Sequence, residues 1–357
     1  MPTKDELRLL QALPLDIKIM KTKQRIREWV EYFGVDGVYI SFSGGKDSTV
    51  LLHLVRELYP QVEAVFVDTG LEYPENRQFV KTFNNVTIIR PKMSFVEVIK
   101  TYGYPFISKE ASERVANAKK CISGEYQKYL AHYYQLTQEK SPVRVQQLIG
   151  VGGFKSNLYD FSKWKPLLDV DYNVSNFCCN VMKKKPLHDF EKKTKKKPII
   201  ATMTEESQLR QTAWLKEGCN SFNGKKQSSK PLSFWTEQDV LQYIKQNNIK
   251  IASVYGDIVS VDENGYVYEN TLFDAGKLKC TGCHRTGCIF CGYGAHLEKG
   301  ESRFQRLKHT HPKQYDYCMN GGGYDVDGLW KPTKEGLGMK HCIDVLNQIY
   351  GKDFIRY

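Results

Sequence analysis

A short apolar run, Val38–Phe42, breaks into Ser-Gly-Gly-Lys-Asp-Ser and passes without a spacer into the amphipathic stretch Thr49–Val55. A strand, a glycine turn and a helix in that order make an anion-binding arrangement. Gly44 and Gly45 let the backbone approach an anion closely, and the amides at the helix start point at it with the positive end of the dipole. Lys46 adds a point charge, and Ser43 and Ser48 add hydroxyl donors. The run is not a Walker A loop, because aspartate follows the lysine and the spaced first glycine is missing. A phosphate-bearing ligand is the expectation.

The surrounding pattern sets the fold class. A basic helical stretch ends at Gly34, and the strand and turn follow it. "VEAVFVDTG" reads as a second strand, "PENRQFVKTF" as a helix and "VTIIRP" as a third strand, with a helix around "SFVEVIKTYG". "KPIIATMT" is a further strand, "EESQLRQTAWLKEG" a helix and "TEQDVLQYIKQNN" a helix capped by Thr236. Strands alternating with helices at this spacing predict an α/β fold with a doubly wound, mainly parallel sheet. Ligand turns then lie at the carboxyl ends of strands. Three segments are expected: 1–34 helical, 35–277 nucleotide-binding and 278–357 a small Cys-rich module. The stretch from Glu110 to Tyr172 reads as helical, then aromatic and loop-rich.

The net charge of +12 in 357 residues favours an anionic partner such as a nucleotide or nucleic acid. No apolar run reaches the length of a membrane helix, and the N-terminus lacks a signal peptide's apolar core, so the expected location is the cytoplasm with no membrane partner. Thiols stay reduced there, and clustered cysteines usually mean metal. Cys178 and Cys179 are adjacent, while Cys280, Cys283, Cys288 and Cys291 fall within twelve positions. The latter run is compatible with an all-thiolate zinc site. Cys121, Cys219, Cys318 and Cys342 suit packing as small hydrophobes.

"SFSGGKDS" resembles the pyrophosphate loop of the adenine-nucleotide alpha hydrolases, the ATP-pyrophosphatase superfamily. "FVDTGLEYPE", "CCNVMKKKPL", "EESQLR" and "KPLSFWTEQDVLQYI" resemble, in order, the phosphoadenosine phosphosulfate (PAPS) reductase family, from about Val38 to Ile244. The resemblance implies an adenine nucleotide held by Ser43, Gly44, Gly45, Lys46, Asp47 and Ser48. It places the strand end Asp68, Thr69 and Gly70 beside the nucleotide, and Lys183 and Lys184 at its anionic end. Glu206 and Arg210 are carried over as further site residues. Members of the superfamily either reduce PAPS or adenosine phosphosulfate (APS), or split ATP between the alpha and beta phosphates and activate a substrate as an adenylate. The resemblance also implies a [4Fe-4S] cluster on Cys178 and Cys179 with Cys288 and Cys291. Cys280 and Cys283 are an addition to that ligand set, and zinc stays open as the alternative.

Two departures bear on the reaction. The Glu-Cys-Gly tail of classical reductases has no counterpart in "NQIYGKDFIRY", and Ala201 and Met203 stand where relatives show glycine and arginine. The leading expectation is therefore ATP cleavage with pyrophosphate release, coupled to cluster-dependent sulfur transfer. Lys46, Asp47 and Asp68 would be catalytic, with Mg2+ beside Asp47 or Asp68. A nucleic acid is the candidate acceptor, and a sulfur or electron donor protein is a further partner. The alternatives are a divergent PAPS or APS reductase, and a low-turnover nucleotide-sensing or nucleic-acid-binding component of a larger mobile-element or CRISPR-associated assembly.

Overall fold

A computed structural model describes residues 2–122, 160–223, 226–262, 266–268 and 276–357; the side chains of residues 120–122 and 268 lie outside that description. Most of the stretch read as aromatic and loop-rich after Glu110, and the side chain of Cys121, thus lie outside the described residues. The chain forms two compact units, both discontinuous in sequence. One comprises Met1–Pro91 with Pro186–Cys288, the other Lys92–Lys185 with Ile289–Tyr357. Their seams fall elsewhere than the segment boundaries read from composition, because composition reports local chemistry and not which distant segments pack together.

The first unit is built on a six-stranded sheet. Strands β1 (Val38–Ser41), β2 (Ala64–Val67) and β3 (Val86–Ile89) are followed on the other side of β1 by Lys197–Ile200, Ser228–Ser229 and Asn220–Ser221. Every pairing is parallel except the last, between Ser228–Ser229 and Asn220–Ser221. Two helices pack before β1: α1 (Lys4–Gln11), started by a Thr3–Glu6 capping box, and α2 (Leu15–Phe33). Helix α3 (Lys46–Leu58) connects β1 to β2, and α4 (Pro74–Val80), with proline in its first turn, connects β2 to β3.

The central strands β1, β2 and Lys197–Ile200 are largely apolar and buried, as strands covered on both faces require. Val38, Ile40, Ala64 and Ile199 are wholly buried, together with Leu51, Leu54 and Val55 of α3 and Trp29 of α2. The chain turns outward from β1 to β2 and β3, then returns to the opposite side of β1 with Lys197–Ile200. The strand order therefore reverses at β1, and its carboxyl end is the topological switch point where such sheets bind ligands.

In the second unit, the parallel pair Phe106–Ile107 and Gly292–Tyr293 lies among helices Phe95–Tyr102, Lys109–Ile122, Arg303–Thr310, Pro312–Met319 and Met339–Tyr350. Two buried tyrosines tie it together: Tyr104 donates to the Leu337 carbonyl at 2.7 Å, and Tyr172 to that of Cys342 at 3.1 Å. Cys318 and Cys342 are fully buried, as expected of packed thiols, and Cys219 is half-buried against the Ser233 hydroxyl at 3.2 Å. No helix among the described residues is long and apolar enough to cross a membrane.

Candidate functional site

At the switch point the chain leaves β1 through Ser43, Gly44 and Gly45 and enters α3 at Lys46. Gly44 has φ of +73°, and a Cβ there would stand 2.7 Å from a Val80 methyl carbon, so the position requires glycine on both counts. Ser43 and Ser48 brace the turn. Their hydroxyls meet at 3.0 Å, the Gly45 amide donates to Ser43 Oγ at 3.3 Å, and Ser48 donates to the Gly45 carbonyl at 2.9 Å.

Lys46 is 2 % exposed. Its ammonium donates to the His284 carbonyl at 2.9 Å and pairs with Glu237 Oε1 at 3.0 Å and Asp47 Oδ1 at 3.8 Å. Burial opposes its charge, but Asp47 and Glu237 outweigh burial and hold its pKa above the ordinary lysine range. The backbone N–H of Lys46 donates to Tyr255 Oη at 3.1 Å, and that hydroxyl shares a 2.6 Å hydrogen bond with Thr286. Asp47 Oδ1 is buried with no hydrogen-bond partner. Burial raises the Asp47 pKa; Lys46 opposes the shift and Glu237 adds to it.

Glu206 and Arg210, carried over from the resemblance, form an ion pair, and Arg285 approaches the other Glu206 oxygen at 3.7 Å. Arg210 and Arg285 also lie within electrostatic reach of Asp47, which gathers the Glu-Ser-x-x-Arg helix start and the glycine loop into one charged cluster. Tyr255, Glu237, Arg285 and Thr286 are the site residues that sequence reading missed. Glu237 reads there only as part of a capped helix start, and the others carry no motif. They lie far along the chain from the loop: Tyr255 is 209 positions from Lys46.

The strand end Asp68–Gly70 forms its own closed network. Asp68 accepts from Arg77 at 3.0 Å and Arg90 at 3.3 Å, while Thr69 bonds Glu72 through both its amide and hydroxyl. Burial disfavours the Asp68 charge, yet the Arg77 hydrogen bond and charge prevail and its pKa is lowered. Asp68 is thus already neutralised by two guanidinium groups, whereas Asp47 holds the orphaned oxygen.

The six expected metal-binding cysteines divide between the two units. Cys280, Cys283 and Cys288 belong to the first, Cys178, Cys179 and Cys291 to the second. Cys178 and Cys179 Sγ are 4.0 Å apart. The Cys178 hydrogen bond, working against burial and aided by Lys109 and Lys183, brings the Cys179 thiol down to about 5. Burial pushes the Cys280 and Cys291 thiols up instead. Soft donors are therefore present, but among the described residues no group of three or more His, Cys, Asp or Glu side chains is arranged to hold a metal ion. Lys183, expected at the nucleotide, and Lys184 lie in the second unit, where Lys183 acts on Cys179.

A mainly parallel sheet with a glycine turn at its switch point defines an α/β domain of the nucleotide-binding kind. The chain belongs to the phosphoadenosine phosphosulfate reductase domain family, whose model matches residues 37–123 and 125–292. It is 39 % identical over 70 residues to an uncharacterised protein of Methanocaldococcus jannaschii, covering 18 % of this chain and 17 % of that protein. It is 29 % identical over 90 residues to a phosphoadenosine 5'-phosphosulfate reductase of Xanthomonas axonopodis pv. citri, covering 24 % of this chain and 37 % of that one. The chain thus spans well under half the length of these relatives. A crystal structure of phosphoadenylyl-sulfate (PAPS) reductase from Candida auris, a phosphate complex, covers 71 % of this chain and 91 % of its own, at TM-score 0.35 and 14 % identity. That likeness is too loose to assign residue roles.

Proposed function

We propose that the protein is an enzyme that binds an adenine nucleotide with its phosphates on the Ser43–Ser48 loop and cleaves ATP between the alpha and beta phosphates. The observation that carries the reading is the buried Lys46 ammonium at the amino end of α3, on a glycine turn at the sheet's switch point. Backbone amides and a lysine in a desolvated turn stabilise the charge that builds on a leaving pyrophosphate. In the proposed step a substrate oxygen bonds to the alpha phosphorus, the bridging alpha–beta P–O bond breaks, and pyrophosphate leaves with the electron pair. A nucleophilic sulfur supplied by a donor protein then bonds to the activated atom of the acceptor, the bond from that atom to the AMP oxygen breaks, and AMP leaves with the electron pair.

Asp47 is the residue that would hold magnesium, since its buried Oδ1 has no hydrogen-bond partner. The ion would supply charge neutralisation on the phosphates. No step is routed through an iron–sulfur cluster, since among the described residues no group of three or more metal-ligating side chains is found. The charge of +12 makes a nucleic acid the favoured acceptor class.

Reduction of an adenylyl sulfate is the second reading, favoured by the name of the Xanthomonas relative. Calorimetry with ATP and magnesium, APS and PAPS, on wild type and Lys46→Ala, separates the two. ATP binding lost in Lys46→Ala, with pyrophosphate release, supports cleavage. Binding of PAPS or APS alone, with sulfite formed on adding a thiol, supports reduction. Equal affinity of Lys46→Ala and wild type for all three removes the loop from the site.

A further inference from the structure

The groups an anion would use on the glycine turn are already engaged by the protein itself. Tyr255 Oη takes the Lys46 amide, and the His284 carbonyl takes the Lys46 ammonium. Were Gly45 to carry a Cβ, it would lie 3.2 Å from Tyr255 Oη and 3.4 Å from Thr286 Oγ1, so both hydroxyls sit against the bare backbone of the turn. The contacts come from one short strap, Thr281–Thr286, and the tyrosine beneath it.

The strap is laid down by backbone bonds. Thr281 donates its amide to the Asp257 carbonyl, Gly282 to that of Tyr255 and Cys283 to that of Val254, each at 2.9 Å. Gly282 is flush with the chain below, since a Cβ there would stand 2.4 Å from the Val254 carbonyl oxygen. The base of the strap is thus fixed by close backbone packing. Its tip, His284–Thr286, reaches the turn through a carbonyl and a hydroxyl. Arg285 on that tip is 66 % exposed and faces Glu206.

We infer that the strap tip and Tyr255 form an internal plug on the nucleotide loop, and that a nucleotide gains the loop by displacing them. This inference rests on the nucleotide reading of the loop. The plug offers neutral oxygens to a lysine ammonium and to an amide at a helix start, both of which bind an oxyanion more strongly. A polyphosphate therefore exchanges favourably for the plug, while a weaker oxygen ligand does not. The plug selects ligands by charge, and its displacement frees Arg285 to follow the tip.

Calorimetric titration of ATP with magnesium into wild type, Tyr255→Phe, Thr286→Val and Lys46→Ala tests this. Tyr255→Phe keeps the buried ring and removes only the plugging hydroxyl, so it should bind about two- to tenfold more tightly than wild type, the range of one net hydrogen bond. Thr286→Val should shift affinity in the same direction. Hydrogen exchange of the full chain gives a second readout: the amides of 283–286 should exchange faster when ATP is bound. Unchanged or weaker affinity in both hydroxyl variants, or slower exchange at the tip, overturns the plug. If Lys46→Ala loses binding in that case, the loop reading stands without it. If Lys46→Ala binds as wild type does, the loop reading falls and the plug with it.

Discussion

Glu237 Oε1 stands 3.0 Å from the Lys46 ammonium, and two residues further along the same helix start Asp239 Oδ2 holds the Lys18 ammonium at 2.6 Å. One turn of helix thus fixes two lysines that lie far apart in sequence, one at the glycine loop and one in α2. The same turn satisfies its own amides, since Asp239 also accepts from the Thr236 N–H. A local signal, the Thr236 capping box, sets two long-range ion pairs in place.

Glu237 competes with an incoming anion for Lys46. Glu237→Gln should tighten the binding of inorganic pyrophosphate or ATP about threefold to tenfold at low salt, and less at high salt because half-exposed pairs are screened. Titration at two ionic strengths checks both the sign and the salt dependence. Weaker binding would instead make Glu237 part of the nucleotide site.

Lys18 is 2 % exposed, and its ion pair is therefore structural. Lys18→Met removes one partner and leaves the buried Asp239 carboxylate without its counter-ion, held only by the Thr236 cap, which should cost about 3 kcal/mol. Denaturant unfolding reads that loss directly. The double variant Lys18→Met with Asp239→Asn should recover part of it, since the buried charge is then gone while the Thr236 cap retains an acceptor.

Gly44→Ala places a methyl against Val80 on a backbone with φ of +73°. Strain and overpacking together should lower stability by roughly 1–3 kcal/mol. Thermal unfolding checks this, and Gly70→Ala is the control. Gly70 has a similar φ of +74° but nothing within 4 Å of its added carbon, so it should lose only the backbone part.

Asp68 links stability to acid pH. Its folded pKa lies below the unfolded value, held there against burial by Arg77 and Arg90. The stability it contributes is present above about pH 4 and is lost as pH falls through the folded pKa. Arg77→Ala should therefore destabilise by roughly 0.5–1 kcal/mol at pH 7, where Arg77 is partly exposed and screened, and the gap from wild type should narrow as pH falls through the folded pKa. Urea midpoints across that range show whether it does.

Much of the site was legible because it is local. The order strand, Ser43–Gly45, helix is fixed by apolar pattern, glycine freedom and the amides of a helix start, all within a dozen residues. The Thr236 cap and the apolar strands of a parallel sheet are equally local, and the structure has them where the pattern put them. The cysteine spacing was legible as a motif, while among the described residues no group of three or more such side chains is arranged to hold a metal ion. Nothing local marks Tyr255, Arg285 or Thr286 either. Their roles arise because the Thr281–Cys283 backbone bonds to Val254–Asp257 and brings a hydroxyl and a carbonyl onto Lys46. The sequence alone determined four of the six strands, the glycine turn and the helix that follows it, because those depend on neighbours in the chain. Which groups meet on Lys46, which carboxylate is neutralised by arginine and which is left orphaned were decided by tertiary packing, because each depends on side chains that only the folded backbone brings within hydrogen-bond reach.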